Sequence, residues 1–429
     1  MRKKPYLCGF NQEPSHKGEG AAIMDQFMEM LLHYVWQHRM FPLGPLTTTD
    51  GQELEIIDPG LHNHGAGPDF SGAKIRIGGQ LWAGNVEIHL RATDWYRHHH
   101  DTDVAYDSVV LHVVGTKDCE VTATNGRVLP TFVLPVPTAV EDNYRELLAE
   151  EAYPPCYRVI PQLSRIEVHS WMSALTVERL ETKTQRVEHW LQKTTGDWER
   201  TFFIILARAF GFGTNADAME RWAALINPQH IGKHRDNLEQ VEAFFLGMAD
   251  LLDADDDLRC REWRFLRSKF ELTPLPRSVW KMGRLRPQNS PQVRLAQLAE
   301  LYHARRLDFS RVRETKDIAA MRQLLTATGG GYTLSDASTD LLIINAIAPI
   351  LFAYGRSHGD EELTERAFEL LEGIKAESNT ITRSWAKAGI TSQHAADSQA
   401  LIELRTHYCD RKDCLRCRFG AAYLKKIKQ

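Results

Sequence analysis

The sequence predicts an α+β protein, with a mixed β-sheet flanked by helices in its N-terminal third and a mainly α-helical domain after it. Three observations predict this. Apolar residues recur at helical spacing from Ala21 onward. Strict alternation follows in AKIRI and LWAGNVEIHL. Alternation fades after Tyr153-Pro154-Pro155-Cys156, and helical periodicity runs from there towards the C-terminus. The expected organisation is an N-terminal extension over 1–20, an α/β domain over 21–152, a helical domain over 153–400 and a basic, Cys-rich tail over 401–429.

Each element has its own signal. Ile23, Phe27, Met30, Leu31, Tyr34 and Val35 predict a first helix from about Ala21 to Met40, with Glu29 on it as a possible third carboxylate. Gln52 to Asp58 reads as the first strand, with Pro42 and Pro59-Gly60 punctuating the joins. Gly78-Gly79 predicts a tight hairpin between the second and third strands. SVVLHVVG from Ser108 predicts a later strand, and a parallel crossover to it leaves room for only a short helix between Asp94 and Asp107. Ser164 with Glu167 forms a possible capping box for a long helix, Ser164 to Thr195. Phe202 to Phe210 begins another helix, ended by Gly211 and Gly213. Leu341 to Phe352 is a buried stretch that Pro349 is expected to kink or end. Gly329-Gly330-Gly331 lacks the Lys-Ser/Thr of a phosphate-binding loop and reads as a flexible connector.

A chain of 429 residues with 43% hydrophobic content can build full cores, and nothing in it is biased enough for disorder. Arg2-Lys3-Lys4 is followed by no apolar run, and no stretch approaches eighteen uninterrupted apolar residues. The expectation is a cytoplasmic protein without a membrane partner. Seven cysteines, three of them clustered, then argue for metal in preference to disulfides.

The most informative stretch runs from Gly67 to His89. Alternation sets Trp82, Gly84, Val86, Ile88 and Leu90 on one face of a strand and Ala83, Asn85, Glu87 and His89 on the other. Asp69 lies at the mouth of the preceding hairpin, and at roughly 3.3 Å of rise per residue the turn returns Glu87 to its neighbourhood. Two carboxylates so placed suit one Mg²⁺ or Mn²⁺. Pro68, Asp69 and Glu87 resemble the signature of the PD-(D/E)XK nuclease superfamily, whose core runs helix, three-stranded meander, helix, strand. The resemblance implies a nuclease-like fold for the N-terminal domain and phosphodiester cleavage as its activity. His89 stands where that superfamily usually has lysine. Either His89 or Lys74 is then the residue that positions the attacking water, and an imidazole near pKa 6.5 can accept its proton or ligate the metal. The stretch from about Phe27 to Val114, together with the C-terminal cysteine segment, also resembles an uncharacterised bacterial family, domain of unknown function 2851. That likeness covers most of the chain and implies no activity.

Seven of the eighteen histidines fall within fifty-one residues: His62, His64, His89, His98, His99, His100 and His112. His62 and His64, in the Gly-rich loop LHNHGAGPDF, are candidates for metal or phosphate chemistry. The His98 to His100 run is expected to be largely solvated, and His112 to be a core histidine. Near the end, HYCDRKDCLRC gives Cys-X4-Cys-X2-Cys in Cys409, Cys414 and Cys417. Zinc fits with His407 as fourth ligand, and an iron-sulfur cluster fits with Cys8 or Cys156, similar to the cluster that staples the ends of some PD-(D/E)XK nucleases.

Net charge is -4, but its distribution is uneven. Nine Lys/Arg against two acidic residues lie between Arg277 and Arg313, including Arg284, Arg286, Arg294, Arg305 and Arg306, and Arg411 and Lys412 open a second basic run. Such clusters suit phosphates, with Trp280 or Tyr302 to stack on unpaired bases, so DNA or RNA is the expected partner. Three functions follow: a metal-dependent nuclease; a catalytically silent nucleic-acid-binding module on the same core; and a metal-histidine phosphohydrolase.

Overall fold

The computed structural model describes residues 19–42, 44–253 and 257–426. The chain divides into two compact units, one of residues 1–162 with 408–429 and one of residues 163–407. The first carries the sheet and the second is helical, so the mixed α+β class holds.

In the first unit, α1 (Glu19–Gln37) precedes strands β1 (Leu46–Thr47), β2 (Glu53–Asp58), β3 (Leu61–His62), β4 (Phe70–Ile77), β5 (Gln80–Arg91), β6 (Val109–Thr116) and β7 (Thr131–Val133). The sheet runs β1-β2-β4-β5-β6-β7, with β3 paired to β4. Pairing is antiparallel through β5 and parallel from β5 to β6 and β7. Gly78 and Gly79 close the β4–β5 hairpin, with Ile77 opposite Gln80, and both have positive φ (55° and 85°), as a two-residue turn of this kind requires. Gly84 has no such need; a Cβ there meets Val110 Cγ1 at 2.4 Å, so glycine admits β6 alongside. The parallel crossover from β5 to β6 carries the short helix α2 (Asp94–Arg97) and a single 3₁₀ turn, Val104–Tyr106.

α1 packs against β5 through Leu31, Leu32, Tyr34, Val35 and Trp36, while the predicted apolar position Ile23 is half exposed. Both faces of the central sheet are covered near the middle of β5, where Val86, Glu87, Ile88 and His89 are all buried. That is how a polar pair comes to lie in a core. α3 (Thr138–Ala149) receives the C-terminal helix Arg418–Leu424: the Asn143 side-chain amide donates to the carbonyls of Tyr423, Leu424 and Lys426 at 3.3, 3.2 and 2.8 Å. Carbonyls at a helix end lack the i+4 partner of the helix interior, and Asn143 caps them.

The second unit opens with α4 (Arg165–Lys193), whose N-cap Ser164 and Glu167 form the capping box. α5 (Trp198–Phe210) follows, and Phe202, Phe210, Trp222, Phe244, Phe245 and Phe352 are among the fully buried side chains of its core. Two expectations are corrected here. Pro349 does not end its helix: a π-turn at Ile343–Ile347 precedes it, and the run continues to His358. The widened turn accommodates the missing N–H. Gly329–Gly331 is not a slack connector, since a Cβ on Gly329 meets the Ala296 backbone at 2.4 Å; the glycines permit close packing. Among the described residues, Asp336–His358 alone is long and apolar enough to cross a membrane, and 67% of its most apolar window is buried inside the fold.

Candidate metal centre

The pairing of Phe70 with Val86 sets Asp69 beside Glu87, and the two are tied reciprocally. The Asp69 N–H donates to Glu87 Oε2 at 3.0 Å, and the Ile88 N–H donates to Asp69 Oδ2 at 2.9 Å. Glu29 and His33, one helical turn apart on α1, join them. His33 Nε2 is 3.5 Å from Asp69 Oδ2, and His33 Nδ1 is 3.3 Å from His62 Nε2. The His62 ring stacks on Phe70, and the exposed His64 ring lies 4.4 Å beyond it, centroid to centroid.

On its other side Glu87 meets histidines. Its Oε1 lies 3.2 Å from His100 Nε2 and 3.6 Å from His89 Nε2, while His89 Nε2 is 3.2 Å from His98 Nδ1. One nitrogen from each of His89, His98 and His100 falls within 4.8 Å of the others. The second nitrogen of His89, Nδ1, faces His112 Nε2 at 2.9 Å. Tyr106 stacks on His100 with centroids 3.7 Å apart, and Trp95 walls His89, His100 and His112.

Burial dominates the electrostatics. It pushes Glu87 well above the carboxylate range and raises Asp69, and the neighbouring Asp69 charge raises Glu87 further. Glu29 is pushed up to about 7 by burial and then by Asp69, against a lowering hydrogen bond from the Leu90 backbone. Burial holds the imidazoles neutral: His33 falls to about 4, His112 to about 3 and His89 far below its ordinary value, with its histidine neighbours adding to the fall. No arginine or lysine forms an ion pair with Glu87 or Asp69 among the described residues. Adjacent acids raised by burial and neutral imidazoles are a donor set that could hold a cation.

A cavity of about 600 Å³ adjoins the centre, lined by Glu29, Asp94 and His98 and by Arg91, Arg97 and Arg145. Arg97 pairs with Asp94 at 2.9 Å and Arg145 with Glu141 at 2.8 Å.

Asp69, Glu87, His89, His62 and His64 thus share one neighbourhood. Lys74 stands apart: it is exposed and pairs with Ala83, four residues along β5 from Glu87. His98 is exposed as expected, but His100 is buried. His33 and the three cavity arginines were not singled out from sequence; the i, i+4 spacing of Glu29 and His33 was the available signal for the former.

Among the C-terminal cysteines, Cys414 and Cys417 are buried, as is Cys156. Burial raises the Cys156 thiol, and the neighbouring sulfurs of Cys417, Cys409 and Cys414 raise it further, so the four share one locality. His407 Nδ1 lies 2.8 Å from Glu403 Oε1. Cys8 lies outside the described residues. Of the basic candidates, Arg284, Arg286 and Arg411 are exposed. Arg305 is 3.9 Å from Asp308, Arg306 donates to the Thr326 carbonyl, and Lys412 donates to the Leu148 carbonyl. Arg294 is buried over the Phe212 ring, donating to Gln297 and Asn289. Trp280 is likewise buried, with its indole N–H on the Ala249 carbonyl.

No curated protein and no solved structure matches the chain. A family of proteins of unknown function, DUF2851, matches residues 29–380, and the chain belongs to that family.

Proposed function

We propose that this protein is a metal-dependent nuclease, hydrolysing phosphodiester bonds of DNA or RNA at the Asp69–Glu87 pair. One observation carries the reading: the buried Glu87 and the half-buried Asp69, which directly precedes β4, are locked together by reciprocal backbone hydrogen bonds, with a third acid, Glu29, raised beside them and no arginine or lysine paired with either among the described residues. Asp69, Glu87 and Glu29 are the residues to hold Mg²⁺ or Mn²⁺. The ion, when bound, supplies charge neutralisation at the scissile phosphate and acidity to a coordinated water. Arg91, Arg97 and Arg145 line the adjoining cavity and suit the phosphates on either side of the cut. His33, neutral at physiological pH, stands next to Asp69 as an acceptor for the water's proton.

The test is cleavage of labelled single-stranded, duplex and branched DNA and RNA by metal-stripped protein resupplied with Mg²⁺ or Mn²⁺, beside Glu87→Gln and Asp69→Asn. Cutting that needs metal and is lost in both variants supports the nuclease. A specific observation favours a second reading, the silent binding module: His89, in the lysine position, has both ring nitrogens turned to other histidines. Nucleic-acid binding that survives Asp69→Asn, with no cutting in any divalent metal, selects that module.

At the C-terminus we propose that Cys409, Cys414 and Cys417 hold zinc or an iron-sulfur cluster with Cys156 as the fourth thiolate, motivated by their shared locality. Elemental analysis and visible absorption of the purified protein separate the two, and loss of the metal in Cys156→Ser is the expected result. Full retention in that variant removes Cys156 from the ligand set.

A further inference from the structure

We propose that His89, His98 and His100, with Glu87, form a binding site for a divalent first-row transition ion of the zinc class, distinct in chemistry from the hard Mg²⁺ or Mn²⁺ of the nuclease reading. The inference deepens that reading, since Glu87 serves both.

Spacing comes first. In a tetrahedral zinc site with Zn–N near 2.0–2.1 Å, neighbouring ligand atoms stand about 3.3 Å apart. Here His89 Nε2 and His98 Nδ1 are 3.2 Å apart, His100 Nε2 and Glu87 Oε1 are 3.2 Å apart, and Glu87 Oε1 is 3.6 Å from His89 Nε2. Three pairs thus already stand near that spacing, and one nitrogen from each of the three histidines lies within 4.8 Å of the others, with Glu87 Oε1 beside two of them. Imidazole nitrogens in this number select zinc, cobalt, nickel or iron over magnesium, which prefers oxygen and keeps its waters.

An orienting partner comes second. Metal-bound histidine is usually held through its other nitrogen, and His89 Nδ1 faces His112 Nε2 at 2.9 Å. His112 is fully buried within β6, which fixes the His89 ring and leaves Nε2 for the ion. Tyr106 stacked on His100 and Trp95 alongside fix the other buried ring.

Backbone comes third. α2 ends with the His100 N–H on the Trp95 carbonyl at 3.0 Å and the His99 N–H on the Tyr96 carbonyl at 3.1 Å, a closure whose middle residue is usually glycine. His99 occupies it at φ 63°. The two hydrogen bonds close the turn on which His98 and His100 are presented. His98 is exposed and gives the ion an entry side.

The experiment titrates metal-stripped full-length protein with Co²⁺, reading visible absorption, and then competes with Zn²⁺ and with Mg²⁺. Beyond any Co²⁺ taken by the C-terminal cysteines, which thiolate charge-transfer absorption marks, one further equivalent is expected, with displacement by Zn²⁺ but not by excess Mg²⁺, and with affinity weakened at least about 100-fold in His98→Ala. His98 is exposed, so that variant keeps its fold; circular dichroism checks His100→Ala beside it, and His169→Ala on α4 is the control. Absence of Co²⁺ binding, or binding that both histidine variants leave unchanged, overturns the site. If Co²⁺ binds and His98→Ala loses it while no nucleic acid is ever cut, the nuclease reading fails and this site stands. If Mg²⁺-dependent cutting needs Glu87 yet Co²⁺ is not bound, this site fails and the nuclease stands.

Discussion

Two buried glutamates in this chain have opposite surroundings. Glu220, in the helical unit, accepts from the Trp190 indole at 2.6 Å, from Arg186 Nη1 at 2.9 and 3.0 Å and from Arg208 Nη1 at 2.6 Å. Burial raises it, but those hydrogen bonds and charges outweigh burial, and its carboxyl sits below the ordinary range. Glu87, equally buried, has an aspartate and histidines for neighbours, and burial and Asp69 together drive it the other way. The difference teaches how to tell a structural charge from a functional one. Glu220 carries its counter-charge within the fold; Glu87 is paired with no arginine or lysine among the described residues, and on the proposed reading it ionises when a cation arrives from outside.

The sharpest way to break this comparison is to neutralise both. Glu87→Gln is expected to lower metal-dependent cleavage by at least about 100-fold, since a direct ligand outranks an outer-shell partner, while the metal-free fold stays within about 0.5 kcal/mol of the parent, because the amide mimics the protonated acid. Glu220→Gln is expected to do the reverse. It leaves Arg186 without its carboxylate and Arg208 with Asp217 alone, and costs about 2 kcal/mol, less than a fully buried pair because Arg186 is half exposed, with metal affinity unchanged. Denaturant unfolding and metal titration of both variants read the two outcomes. A Glu87→Gln protein as destabilised as Glu220→Gln would make Glu87 structural.

Acidity sharpens the comparison next. The unfolded chain releases the Glu29 proton near 4.5 and the fold near 7, so the metal-free protein loses stability as pH rises through that window. The unfolded chain takes up protons on His33 and His112 near 6.5, and the fold resists until about 4 and about 3, so stability is lost as pH falls below 6.5. A bound cation cancels the first loss by favouring ionised carboxylates. The Tm gain on adding metal is therefore expected to grow from pH 5.5 to pH 8, as measured by calorimetry. A gain independent of pH places the ion away from these acids.

Much of the sheet was legible because alternation, Gly78-Gly79 and the strand from Ser108 are local signals. Capping of α4 by Ser164 and Glu167 was legible for the same reason. Pro349 was read half correctly: the run does not end there, but a π-turn at Ile343–Ile347 interrupts the regular helix just before the missing donor. At the site, Asp69 and Glu87 could be paired from strand spacing alone. His33 comes from α1; its i, i+4 spacing from Glu29 put the two on one helix face, but no period links α1 to β4, so that this face meets Asp69 was not legible. His100 escaped because a run of three histidines looks solvated until the left-handed turn at His99 is known.

The smallest expected effect concerns Lys74, the one lysine near the signature. Asp58 and Ala83 flank it across β4, and Ala83 is four residues from Glu87 on β5. At about 3.3 Å per residue that separation is roughly 13 Å along the strand, beyond the reach of an exposed ammonium to a water held by Glu87. Lys74→Ala is accordingly expected to change cleavage less than about twofold, a surface change without a buried partner. Steady-state cleavage rates at saturating metal decide it. A loss beyond about 100-fold would move the reacting phosphate towards the Gly78-Gly79 turn of the hairpin, and the histidines around Glu87 would then owe their burial to packing alone.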